Sequence, residues 1–61
     1  MKIIKGAVCE IIPDKEIKIG IHTGEKMGPF YIFEIANDMA PQQIAGFAFC
    51  EEHNISVLGE L

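Results

Sequence analysis

The chain has no arginine, no tryptophan, only two cysteines, and no uninterrupted apolar run longer than four residues. Each absence excludes a class of protein. With no guanidinium to fork onto phosphates, and five lysines against nine carboxylates for a net charge of −4, a nucleic-acid binder is excluded, because the chain as a whole repels a polyanion. The longest apolar runs, Phe30–Phe33 and Phe47–Cys50, fall far short of the ~18 residues of a membrane-spanning helix. Lys5 and Glu10 interrupt any apolar stretch between Met1 and Ile12, so no signal peptide and a cytoplasmic location are expected. Cys9 and Cys50 are too few for the disulfide framework of a small secreted scaffold, and the expectation is two buried, reduced thiols.

What remains is a globular chain. Sixty-one residues make a single domain, residues 1–61, and a chain of this size buries only ~60% of its unfolded surface. Apolar residues make up 49%, and eleven of them are isoleucine, too many for a disordered segment.

Residues 16–22 alternate with period two, which places Ile17, Ile19 and Ile21 on one expected buried face. Residues 2–12 are also β-rich, and Pro13-Asp14 between the two runs signals a turn. A three-residue loop, Pro13–Lys15, would set Ile11 opposite Ile17, Cys9 opposite Ile19 and Ala7 opposite Ile21, with a Glu10–Lys18 pair on the other face. Residues 23–29 read as a polar loop and residues 30–36 as an aromatic third strand. Asn37 and Asp38 offer helix caps and Pro41 suits a first turn, so a helix is expected from Ala40 to His53. Ile55 to Leu61 reads as a short last strand. The expected fold class is α+β: a β-β-β-α-β domain, an antiparallel meander with one helix packed on one face and a right-handed crossover, completed by oligomerisation.

Oligomerisation is expected because one helix covers only one sheet face. Strand three carries Tyr31, Phe33 and Ile35 on one side and Phe30, Ile32 and Ala36 on the other. On the expected helix, Ala40, Ile44, Phe47 and Ala48 form a core-facing stripe, and Phe49 lies on the opposite side. That surplus of apolar surface points to a homodimer or larger assembly.

Three constellations could carry chemistry. Cys9, His22, Cys50 and His53 are ligand types for a metal, although the expected register turns Cys9 and His22 to opposite faces. Gly24, Lys26 and Gly28 could cradle an anion through backbone N–H groups, but match no phosphate-binding fingerprint. Cys50 and His53, three apart on a helix, are the minimum for a thiolate pair; the helix C-terminus and Glu51-Glu52 disfavour the thiolate. His22–Lys26 resembles the opening of the linker that joins tandem zinc fingers, but Met27 stands where that linker has proline, and no finger precedes it.

The functional expectation is a non-catalytic interaction protein, a homo-oligomeric regulator, inhibitor or adaptor that binds itself and a partner protein and needs no cofactor. Alternatives are a small-ligand or metal-binding module with its site at a subunit interface, and a small enzyme using Cys50 and His53. All five lysines lie at or before position 26, whereas every aromatic residue lies beyond it among carboxylates. The expected partner-binding residues are therefore Phe49, Glu51, Glu52, Phe30 and Ile32, an aromatic centre with an acidic rim.

Overall fold

The computed structural model describes residues 3–36 and 43–60. Five strands, β1 (Ala7–Ile11), β2 (Lys18–Met27), β3 (Phe30–Ala36), β4 (Ile44–Glu51) and β5 (Ile55–Glu60), form one antiparallel sheet in the order β4-β3-β2-β1-β5. A single 3₁₀ turn, Glu52–Asn54, joins β4 to β5.

That short link dictates the shape. In a flat sheet the edge strands β4 and β5 would lie about 19 Å apart, at ~4.8 Å per strand spacing. The four residue steps from Glu51 to Ile55 reach at most about 14 Å even when fully extended. The sheet must therefore roll until its two edges approach. The Ile12 N–H donates to the Asn54 carbonyl at 3.0 Å and the Cys50 thiol to the same oxygen at 3.5 Å, so one corner of the roll is stitched shut. The concave face is the core: Ala7, Cys9, Ile11, Phe33, Cys50 and Ile55, with Ile3 at its edge and Tyr31, Ile35, Ala48 and Val57 packed against them.

This overturns the expected α+β class. Residues 44–51, placed in a helix, are a strand paired with β3 along its length, from Phe30 opposite Glu51 to Ala36 opposite Ile44. The cause is the interior, whose largest fully buried side chain is Phe33. Beside it β4 can present only Gly46, Ala48 and Cys50, and its phenylalanines turn outward. A period of two with small residues inside and large ones outside resembles a helical stripe over so short a window. The caps Asn37 and Asp38, with Ala40 and Pro41, lie outside the described residues.

The β1–β2 register is also one residue from expectation. Cys9 lies opposite Gly20 and Ile11 opposite Lys18, so the loop spans residues 12–17. One step of slip swaps faces: Ile17 and Ile19 are exposed, while Gly20 and His22 point inward. A Cβ on Gly20 would come within 2.9 Å of the Phe33 Cβ and 3.0 Å of the Ile35 Cδ1, so no isoleucine fits on the inner face there. Glu10 consequently faces Ile19 rather than Lys18, and Lys18 approaches Glu16 at 3.8 Å.

Residues 23–29 are not a loop. β2 continues to Met27 and turns through Gly28-Pro29 into β3. Gly28 has φ +59°, and proline cannot take positive φ, which leaves the type II′ turn with glycine first.

Candidate functional site

Strand pairing assembles an apolar patch on the convex face. Cross-strand partners share a face, so the pairs Ile32–Phe49, Glu34–Phe47 and Phe30–Glu51 bring β3 and β4 side chains together. Ile21 opposite Glu34 continues the patch onto β2, and Ile19 extends it. Phe47 is 63% exposed, Ile44 53%, Ile19 49%, Phe49 43% and Phe30 37%. Together they offer about 500 Å² of apolar surface, at the upper end of the largest patch on ordinary monomers.

Of the expected partner-binding residues, Phe30, Ile32, Phe49 and Glu51 meet on this face. Glu52 does not; it sits in the 3₁₀ turn, where the Tyr31 hydroxyl donates to its Oε1 at 3.4 Å. Phe47 belongs to the patch rather than to the core. The patch carries carboxylates, and Lys18 borders it, lining a groove with Ile35, Gly46, Phe47 and Ala48; Lys26 stands 4.5 Å from the centroid of the inward Tyr31 ring and Lys5 packs on Gly24.

The metal-type residues separate differently from expectation. Cys9, His22 and Cys50 share the interior face, whereas His53 is exposed on the turn with Nδ1 3.7 Å from a Glu51 carboxylate oxygen. Among the described residues no three His, Cys, Asp or Glu side chains converge as metal ligands. Both cysteines are free and buried. Burial pushes the Cys9 and Cys50 thiols up; at Cys50 the Ile12 backbone N–H opposes this and the Glu51 charge adds to it. Cys50 faces inward with its one S–H within reach of both the Asn54 and the Glu51 carbonyls, so Cys50 and His53 do not form the i, i+3 pair of a helix.

His22 is the buried polar residue the sequence did not disclose. Only 4% exposed, it stacks edge-on against Tyr31, with ring centroids 5.3 Å apart, and tilted against Phe33 at 5.5 Å. Its Nε2 lies 3.1 Å from the Glu25 carbonyl, an acceptor that requires a hydrogen on Nε2, and Nδ1 is buried without a partner. A bulge makes this contact: three residues, Thr23–Glu25, oppose Ile32 alone. Gly24 turns it at φ +94°, Thr23 Oγ1 donates to the Ile32 carbonyl at 3.0 Å, and the Gly6 N–H donates to the His22 carbonyl. The available signal was Gly20, since a glycine inside a strand marks close approach of another chain segment.

The anion reading loses its loop. Gly24 serves the bulge and Gly28 the turn, and Lys26 lies within the β2–β3 ladder opposite Tyr31.

No family model matches the chain, and no curated protein or solved structure matches it. Among the described residues no helix is long and apolar enough to cross a membrane.

Proposed function

We propose that the chain is a non-catalytic interaction protein that associates with itself and holds a partner protein through the convex face of β2, β3 and β4. One observation carries this reading: Ile19, Phe30, Phe47 and Phe49 are exposed together on that face while the concave face already forms a closed core. Apolar surface left in water beside a satisfied core is the ordinary mark of an interaction site. The carboxylates of Glu34 and Glu51 among the aromatics favour a partner with basic residues around an apolar centre. Two free buried thiols fit a reducing, cytoplasmic compartment. Affinity capture with the wild-type chain and with the Phe47→Glu, Phe49→Glu double variant tests the reading. A protein retained by the wild type and lost with the variant, whose circular dichroism stays native, is expected. The same set of proteins captured by both contradicts it.

A further inference from the structure

We infer that two copies of the chain join edge to edge, through an antiparallel pairing of β4 with β4 of the second copy about a two-fold axis at Ala48. This rests on the self-association proposed above and names its geometry.

Three observations point to β4. Among the described residues it pairs with β3 alone, leaving one row of N–H and C=O groups without a strand. Such edges are ordinarily guarded by charge, proline or irregularity. The other edge, β5, carries Ser56, Gly59 and Glu60; each edge strand has one register shift, β5 against β1 and β4 against β3 at Ala45, which leaves Gly46–Cys50 as the regular part of the β4 edge. From Ile44 to Cys50, β4 carries no charge and no proline.

Charge then separates two ways of covering the patch with a second copy. Stacking convex face on convex face would place Glu10, Glu34 and Glu51 of each copy in one interface, three carboxylates a side against the single Lys18 that borders the patch, and carboxylates without a partner are costly to dehydrate. Edge pairing leaves those carboxylates in water. It also keeps the two Glu51 side chains about 20 Å apart, at ~3.4 Å per residue, beyond the ~8 Å over which charges act at physiological salt.

The register follows from symmetry. A two-fold axis normal to the sheet keeps both convex faces on the same side, so paired residue numbers sum to an even value. With Ala48 opposite the partner's Ala48, Phe47 faces the partner's Phe49 and Phe49 faces the partner's Phe47. Two aromatic cross-strand pairs form on the convex face, and small side chains meet on the concave one. The exposed parts of Phe47 and Phe49 add about 200 Å² per copy to the strand edge itself. That is less than the ~800 Å² per partner of a standard interface, so the dimer is weak and its population depends on concentration.

Amide exchange by NMR on the wild-type chain, at about 20 µM and about 1 mM, reads the ladder directly. The β4 amides that point away from β3 should slow several-fold at the higher concentration, with alternate β4 amides and the outer amides of β5 unchanged. Phe49→Lys, folded by its spectrum, should remove the concentration dependence. A doubled mass with no slowing in β4 overturns the edge pairing but leaves self-association standing. A monomer at both concentrations overturns both, and β4 amides that slow only on adding a different protein would assign the edge to a foreign strand.

Discussion

Gly20 on β2 and Gly46 on β4 occupy equivalent inward positions on either side of Ile35 in β3, yet their surroundings differ. Around Gly20 a methyl group meets Phe33 and Ile35 at about contact-breaking distance, 2.9 and 3.0 Å; around Gly46 nothing lies within 4 Å. Gly20→Ala should therefore destabilise the chain by about 1–3 kcal/mol, whereas Gly46→Ala should be neutral or stabilise by up to about 1 kcal/mol through the unfolded chain. Urea unfolding of the two variants beside the wild type checks the contrast. The thiols give a second expectation. Burial raises Cys9 and Cys50 above their ordinary value of 9.0, so the folded state holds its protons at a pH where the unfolded chain releases them. The stability this contributes is fully present below pH 9 and falls as pH rises through the raised values. Denaturation midpoints should be level from neutral pH to about pH 8 and decline above 9; the Cys9→Ser, Cys50→Ser pair, if it folds, should flatten that decline.

At the scale of the strand, β3 and β4 divide their aromatics between a dry face and a wet one. Phe33→Ala should cost about 3–5 kcal/mol and unfold most of the population. Phe47→Ala, on the convex face, should cost less than about 1 kcal/mol. Thermal unfolding separates them, and a large loss at Phe47 would restore the helical reading of this segment. The sequence disclosed β1, β3 and β5, and in β3 the division of Phe33 from Phe30 and Ile32, because alternation there coincides with size: the larger or more apolar set is buried. In β2 and β4 alternation is just as regular, but the tight roll reserves the inner positions for glycine, alanine, cysteine and one histidine. Choosing the more hydrophobic set then selects the wrong face, as it did for Ile17, Ile19 and Ile21. In β4 it suggested the wrong element. Of the candidate site, the outward turn of Phe30, Ile32 and Phe49 was legible as apolar surplus and Glu51 as an acid beside it; Phe47 was not, since a core was needed and Phe47 was the obvious residue to fill it.

For the whole molecule, the described residues form one five-stranded sheet, and among them no second layer covers its outer face. It rolls one face onto itself around Phe33 and leaves the other carrying Ile19, Phe30, Phe47 and Phe49 in water. The account turns on two copies joining through the β4 edge, with Phe47 and Phe49 on its convex side in the contact. Sedimentation equilibrium of the wild type and of Phe47→Glu over a wide concentration range tests it most directly. The wild type should give a mass that climbs from 6.7 kDa toward twice that value as concentration rises, while the folded variant stays at the mass of one chain. A wild-type chain that holds 6.7 kDa at every concentration would contradict the account.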